Sequence, residues 1–325
     1  MRKGECVVGV DLGGTWVRVV LSDRRGRFVK RAKERIDTSN PEAISRQIEK
    51  VVLFLCQRLG IEVAVLGGVG IASAGPLIQE RGVLINPTNM PFEQVSLTKP
   101  ISEELNIPAY LINDCAGAAL GEKTFGAAKG LDNYVYVTIG TGIGGGAIVN
   151  GTLLLGKDGN AHEIGHLTID YSGRLTCGCG KKGHWEAYCS GKNIPNFVRM
   201  RFEELDKNVV EGSLLFEKTE GDMSKLTAAC LFDAARNRDG LSLQLVEEIG
   251  VLNAIGFANV INLYDPSLIT VGGSVTLKNK KAIFSPIRVH VKDYAVNRLP
   301  EIRVTPLGKD AGLCGAVAAV IKYLS

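Results

Sequence analysis

Leu111-Ile-Asn-Asp-Cys-Ala-Gly-Ala-Ala-Leu-Gly-Glu122 is the stretch on which the reading of this chain turns. An apolar run, Ala109 to Ile112, stops abruptly at Asn113-Asp114, and a small-residue, helix-compatible segment follows from Cys115 to Gly121. A carboxylate at the end of a buried strand is held rigidly and still reaches a surface. That suits a base that must meet one substrate hydroxyl. The competing reading is structural: Asp and Asn are favoured as helix N-caps, and Asp114 fits that role too. Two glycine-rich hairpins and a Glu/His/Cys cluster elsewhere weigh toward the base.

Upstream, Cys6 to Val10 predicts a short apolar strand, Asp11-Leu-Gly-Gly-Thr15 a turn, and the alternation from Trp16 to Leu21 a returning strand. This is a hairpin, not the strand-to-helix turn of a Walker or Rossmann motif, so neither fingerprint applies. Gly13 and Gly14 let backbone N–H groups approach an anion with no Cβ between them. Thr15 adds a hydroxyl donor, and Asp11 is placed to steer a hydrated Mg²⁺. An ordinary β-turn accounts for the same residues. Downstream, Val135-Tyr-Val-Thr-Ile-Gly-Thr-Gly-Ile-Gly-Gly-Gly-Ala-Ile-Val149 repeats the outline of strand, Gly/Thr turn and strand, with Thr141 and Gly142 at its tip. Two copies of such a unit predict an internally duplicated protein with a nucleotide gripped between its halves. A third glycine turn, Gly272-Gly273-Ser274, follows a strand at Leu268 to Val271. It suits the flat approach of an adenine or ribose, or is a simple turn.

The remaining pattern is α/β. Pro41 to Gly60 carries apolar residues at helical spacing behind a Ser39-Asn40 cap, and Val63 to Ile71 predicts a buried strand. Asn86 to Pro91 reads as a loop and Ile101 to Asn106 as a short helix. Strands thus alternate with helices, which indicates layered α/β architecture. Lys192 to Leu263 is helical by pattern, with Leu245, Ile249, Leu252 and Phe257 on a core stripe. Gly308 to Gly312 predicts a turn, and Leu313 to Leu324 an apolar helix returning to the first domain.

At 325 residues and 45% hydrophobic content the chain has ample core, and its length predicts two domains. A net charge of +4, from 38 basic and 34 acidic residues, makes no electrostatic case for nucleic acid. The basic residues are scattered except for a surface-like run around a turn, Arg24 to Arg35. No signal peptide pattern follows Arg2-Lys3. Two uncharged stretches, Val63 to Gln79 and Tyr134 to Gly156, are interrupted by glycines and read as buried strands, so no membrane span is expected. Eight cysteines are dispersed, with only Cys177 and Cys179 close together, so the expectation is a reduced, intracellular chain. Cys6, Cys56, Cys115, Cys189 and Cys314 read as small core residues, and His162 and His290 as surface or loop residues.

The densest chemistry lies between the second and third glycine turns. Ala161-His-Glu-Ile-Gly-His166 precedes Cys177-Gly-Cys-Gly-Lys-Lys-Gly-His-Trp-Glu186. His166, Cys177, Cys179 and His184 offer two imidazoles and two thiolates, a sensible tetrahedral zinc set. The C-x-C spacing is tighter than the common C-x₂-C, and a glycine-rich loop with incidental cysteines is the alternative. Glu163 and Glu186 are not needed as ligands and remain to accept hydroxyl hydrogen bonds.

These residues together resemble the ROK-family sugar kinases (repressor, open reading frame, kinase). The resemblance spans nearly the whole chain: Asp11 to Thr15 and Gly140 to Gly146 resemble the two phosphate motifs. Asn113-Asp114 with Ala118 to Glu122 resembles the catalytic segment, and Glu163 to His166 with Cys177 to Glu186 the sugar and zinc signature. It implies an α/β fold of the duplicated actin-like/hexokinase (ribonuclease H-like) ATPase type, two domains around a central cleft. The first domain would be residues 1–112 with the C-terminal helix 312–325. The second would be 113–311, with the sugar and zinc loop at 161–190. Asp114 would be the base facing the sugar 6-hydroxyl, and Asn113, Glu163, His166 and Glu186 would bind ring hydroxyls. Gly75 and Asn89 would close the site, and His166 would serve both zinc and sugar. Asp11, Gly13, Gly14, Thr15, Thr141, Gly142, Gly273 and Ser274 would hold ATP and Mg²⁺.

The chain departs from the family at His184, where a third cysteine is usual; imidazole is a competent zinc ligand, so the site is kept. ROK repressors carry a DNA-binding domain before the first phosphate motif. Only ten residues precede Asp11 here, which favours a kinase. The expected activity is MgATP-dependent phosphorylation of a hexose, glucose first, at the 6-hydroxyl, giving hexose 6-phosphate and ADP. Zinc would have a structural role. N-acetylmannosamine or fructose as substrate, or a non-catalytic sugar-sensing regulator, are the alternatives. An actin-like ATPase with a protein partner would have no use for the Glu163/His166/Glu186 cluster. The family also implies a cytoplasmic homodimer, with no nucleic-acid or membrane partner.

Overall fold

The computed structural model describes residues 4–87 and 90–324. β1 (Cys6–Leu12), almost wholly buried, and β2 (Trp16–Asp23), buried over most of its length, close into the expected antiparallel hairpin, with Asp11 opposite Arg18 and Leu12 opposite Val17. β3 (Phe28–Arg35) pairs antiparallel with β2. The basic run is therefore a turn followed by an exposed edge strand, and charge on an edge opposes pairing with other chains. α1 (Pro41–Leu59) starts where predicted: Asn40 Oδ1 accepts the Ala43 N–H at 2.9 Å, Pro41 takes the first turn, and Gly60 ends the helix at φ 64°. β4 (Leu66–Ser73) begins later than the apolar run because Val63–Val65 is a 3₁₀ turn. β5 (Leu77–Ile78), β6 (Val83–Ile85) and β7 (Gln94–Ser96) make a small antiparallel sheet. α2 (Thr98–Leu105), β8 (Ala109–Asn113) and α3 (Asp114–Phe125) follow.

The second half repeats the scheme. β9 (Tyr134–Ile139), β10 (Ile143–Val149) and β11 (Thr152–Leu153) form the second hairpin and its extension. A helical insert comes next: α4 (Trp185–Cys189), α5 (Ile194–Glu204), α6 (Lys207–Glu211), α7 (Leu214–Lys218), α8 (Ala228–Arg236) and α9 (Gly240–Tyr264). β12 (Leu268–Gly272), α10 (Ser274–Lys278), α11 (Lys280–His290), β13 (Glu301–Val304) and α12 (Ala311–Leu324) complete the chain. The first sheet runs β3-β2-β1-β4-β8 and the second β11-β10-β9-β12-β13. Ranked within its own half, each sheet has the order 3-2-1-4-5, which is the duplication the two hairpins predicted. α9 is long and apolar enough to cross a membrane by length and composition, but 61% of its most apolar window is buried in the fold. It is a core helix.

The chain divides into two units, Met1–Tyr136 with Gly146–His162 and Thr305–Ser325, and Val137–Gly145 with Glu163–Val304. This differs from the expected break between 112 and 113, and the first unit recovers the chain from 305 rather than 312. The physical reason is the contact of α3 with α12. A Cβ on Gly315 would lie 2.1 Å from the carbonyl carbon of Gly117, and one on Gly121 would lie 2.8 Å from Gly315 N. Small residues let the two backbones touch, so α3 stays with the first unit. At its end the fully buried Glu122 accepts the Ala127 N–H at 2.7 Å and pairs with the Thr305 hydroxyl.

Cys6, Cys56, Cys115, Cys189 and Cys314 are all buried, as their reading as core residues requires. His162 takes the loop placement of the expected surface or loop position. It sits in a loop at φ 56° but is buried, its Nε2 2.7 Å from Leu154 O. A ring that finds a backbone partner can be buried without cost. His290 ends α11 beside Glu247, with Nε2 2.7 Å from Oε1.

Candidate active site

In the first unit, three adjacent parallel strands end in register. Leu12 of β1 pairs with Ser73 of β4, and Ser73 with Asn113 of β8. Gly13, Ala74-Gly75 and Asp114 therefore leave the sheet along one edge, at the carboxyl ends of the strands, where open α/β sheets bind their ligands. The tip of the first hairpin is closed by Gly13 N–H to Trp16 O at 3.0 Å. A recess there is lined by Gly13, Gly14, Ser73, Ala74, Gly75, Pro87 and Met90, so the first glycine turn and Gly75 share one surface. Gly75 has no room for a side chain: a Cβ would lie 2.9 Å from Asn160 Oδ1. Asn89 lies outside the described residues.

The two readings of Asp114 separate by one residue. Asn113 is the N-cap, its Oδ1 accepting the N–H groups of Cys115 and Ala116 at 2.9 and 3.1 Å. Asp114 is the first helical residue, and its Oδ1 takes the Cys115 N–H at 2.8 Å. Burial, and then the nearby Asp11 carboxylate, hold its carboxyl above the usual range. Asp11 is itself engaged: Arg18 Nε donates to its Oδ2 at 2.6 Å, and Arg18 continues to Lys309 O at 2.9 Å. Asp11 thus presents to a cation as half of an ion pair.

In the second unit the tip of the second hairpin is closed by Gly140 N–H to Gly142 O at 2.9 Å. Gly273, at φ 87°, abuts it: a Cβ there would lie 2.3 Å from Ile139 O, and one on Gly140 would lie 3.5 Å from Ser274 N. Gly140, the residue before Thr141-Gly142, and Gly273-Ser274 are thus brought together as one glycine-walled surface.

The His/Cys quartet also assembles, with all ligand atoms of His166, Cys177, Cys179 and His184 within 4.8 Å of one another. His166 Nδ1 and His184 Nδ1 are 3.2 Å apart, Cys177 Sγ is 3.7 Å from His166 Nδ1, and Cys179 Sγ is 3.4 Å from His184 Nδ1. A tetrahedron built on Zn–N and Zn–S bonds has edges of about 3.3–3.8 Å. The donor set therefore fits zinc in kind and in span. With Nδ1 turned into the quartet, His166 points Nε2 toward Glu163, 3.9 Å from Oε2.

α4 carries Glu186 on a rigid mount. Trp185 is fully buried against α9, its Nε1 donating to Asn253 Oδ1 at 2.9 Å, and a Cβ on Gly256 would meet its ring at 2.3 Å. Tyr188, also fully buried, donates its hydroxyl to Asp170 Oδ2 at 2.5 Å and accepts the Leu175 N–H at 3.0 Å. Hydrogen bonds from Ser172, then Tyr188 and Arg174, hold the Asp170 carboxyl far below its usual range, and the Tyr188 bonds pin the loop leading to Cys177. Arg18, Asn160, Asp170, Tyr188 and Asn253 were not anticipated. Only Arg18 had a usable signal, since hairpin register places it opposite Asp11. The others act across long sequence separations.

A duplicated 3-2-1-4-5 sheet, with glycine hairpins at corresponding places in its halves and a strand-end carboxylate, defines the two-domain actin-like/hexokinase class of ATP-dependent phosphotransferases. The profile of the ROK family matches residues 7–323, and the chain belongs to that family. It is 36% identical over 315 residues to a glucokinase of Pyrobaculum calidifontis, covering 97% of this chain and 95% of that protein. It is 33% identical over 321 residues to a glucokinase of Thermotoga maritima, covering 97% of each. Among solved structures, a ROK-family glucokinase from Streptomyces griseus in complex with glucose and AMPPNP superposes with a TM-score of 0.76 at 28% identity, covering 97% of this chain and 98% of that one. The protein is an ATP-dependent sugar kinase of the hexokinase/glucokinase type.

Proposed function

We propose that the acceptor is glucose and that the phosphoryl group goes to its 6-hydroxyl, giving glucose 6-phosphate and ADP. The observation that carries this reading is Asp114, one residue inside α3 at the register-aligned end of β8, with the cap duty taken by Asn113. Glucose as the acceptor is supported by the glucokinase relatives, and the approach of Glu163 to His166 supports a sugar acceptor in general. In this reading Asp114 orients the 6-hydroxyl and accepts its proton late, because phosphoryl transfer has a loose transition state in which positioning dominates. Asn113, Glu163, His166 and Glu186 are the residues proposed to receive ring hydroxyls. The glycine tips at 13–14 and 140–142 offer backbone N–H groups to phosphates, Thr15 and Thr141 add hydroxyls, and Gly273-Ser274 lies under the nucleoside. Bound Mg²⁺ would neutralise charge between the phosphates, with Asp11 steering it. Zinc on His166, Cys177, Cys179 and His184 would hold the loop that carries Glu163 and Glu186, and has no part in the transfer. We further infer a homodimer in the cytoplasm.

A coupled ADP-release assay across glucose, N-acetylmannosamine, fructose and mannose tests the reading. Glucose is expected to give the highest kcat/KM. A preference for N-acetylmannosamine or fructose would move the substrate assignment, and no sugar-dependent ADP release would point to a sensor rather than a kinase.

A further inference from the structure

The second glycine hairpin and the sugar cluster are physically one piece. The segment that begins with Glu186 clamps the hairpin tip at successive positions. Glu186 Oε2 accepts the Ile143 N–H at 2.8 Å, Gly191 N–H donates to Gly140 O at 2.7 Å, and Lys192 N–H to Thr141 O at 3.2 Å. The carboxylate also fills the space above the tip: a Cβ on Gly142 would lie 2.4 Å from Glu186 Oε2. Oε1 meanwhile lies 3.6 Å from Cys177 Sγ. One carboxylate therefore touches the turn assigned to the nucleotide and the loop assigned to the sugar. It does so from a helix fixed by Trp185 and Tyr188, so it has little freedom to serve one side without moving the other.

We infer that Glu186 is a shared positioning residue: while receiving a ring hydroxyl it fixes the phosphate hairpin through Ile143 N–H. Occupancy of the sugar site and the shape of the nucleotide site are thereby linked through a single side chain. The inference rests on the proposed role of Glu186 in sugar binding. It makes an unobvious prediction, that a change in the nucleotide hairpin weakens sugar binding even when no nucleotide is present. Gly142 is the place to make it. Its φ is not in the left-handed region, so alanine is allowed by the backbone. The atom that a methyl would strike is the mobile end of Glu186, so the fold can yield by displacing that carboxylate.

The experiment is calorimetric titration of glucose into nucleotide-free wild type, Gly142→Ala, Glu186→Ala and the double variant. A hydrogen bond to a charged group contributes enough that its loss weakens binding about tenfold or more. Gly142→Ala is expected to raise the glucose Kd by that factor, and the double variant to bind no more weakly than Glu186→Ala alone, since the methyl then has nothing to displace. An unchanged glucose Kd in Gly142→Ala, or additive effects in the cycle, overturns the linkage while leaving the sugar role of Glu186 intact. An unchanged Kd in Glu186→Ala instead removes that role and the linkage with it. Should Gly142→Ala not fold, the reciprocal measurement decides. Glu186→Ala must weaken binding of a non-hydrolysable ATP analogue in the absence of sugar, and an unchanged nucleotide Kd overturns the inference.

Discussion

Asp114 works against the stability of the protein that holds it. Its carboxyl is raised above the ordinary 3.8 by burial and by Asp11, so the ionised form is disfavoured in the folded state. The sign follows from linkage. A carboxyl whose folded pKa exceeds its unfolded value stabilises the fold below the unfolded pKa, and that contribution is lost as pH rises through the folded value. Asp114→Asn keeps the acceptor for the Cys115 N–H and removes the charge. Thermal denaturation should therefore show the variant at least as stable as wild type at neutral pH, with the difference shrinking as the buffer is made acid; a variant less stable at neutral pH would contradict the assignment. A carboxylate acting as base must be ionised, so the role proposed for Asp114 places the acid limb of kcat/KM against pH above 3.8. A limb at or below that value would indicate an unperturbed carboxylate. At this scale the sequence was readable only to within one position. Asn113 and Asp114 are both good caps by residue type, and which of them stands outside the helix depends on where β8 ends, a property of its pairing with β4.

At the scale of elements, the glycine hairpins and the capped α1 were legible because their signals are local: alternation, turn residues, and an Asn-Pro start. The meeting of α3 with α12 was not. Gly117, Gly121 and Gly315 read only as helix-compatible, and nothing in either helix says what it touches. The structure puts backbone against backbone there, so Gly315→Ala should overpack the contact and cost about 1–3 kcal/mol in chemical denaturation. An unchanged midpoint would mean that the helices part freely. The quartet around His166 and His184 was readable as a donor set, whereas the Asp170–Tyr188–Leu175 clasp beneath it was not, since it joins residues with no shared periodicity. Elemental analysis of purified protein should find about one zinc per chain, and His184→Ala should lose it. The same variant should raise KM for glucose more than KM for ATP, because the loop carrying Glu163 and His166 loosens. Zinc far below one per chain in wild type, or an unaltered glucose KM in the variant, would remove the metal from the account.

Over the whole molecule, duplication is the organising fact: the order 3-2-1-4-5 occurs twice, and corresponding hairpins in both halves carry the glycine tips. The repeat could be inferred from two similar turns in sequence. The division of the chain could not, because it depends on which helices share a core, and α3 goes with α12 rather than with the strands that follow it. Sedimentation should give a species of twice the 34.8 kDa chain mass if the inferred homodimer forms, and a single-chain mass would exclude it. The central claim is that this fold transfers phosphate to a sugar hydroxyl through Asp114. Its most direct test is turnover of glucose and ATP by wild type and Asp114→Asn, with glucose 6-phosphate followed by phosphorus NMR and glucose binding by calorimetry. The account predicts stoichiometric glucose 6-phosphate and ADP from wild type, and in the variant an unchanged glucose Kd with turnover reduced by about 10²–10⁴-fold. A variant that binds glucose and turns it over within a few-fold of wild type would contradict it.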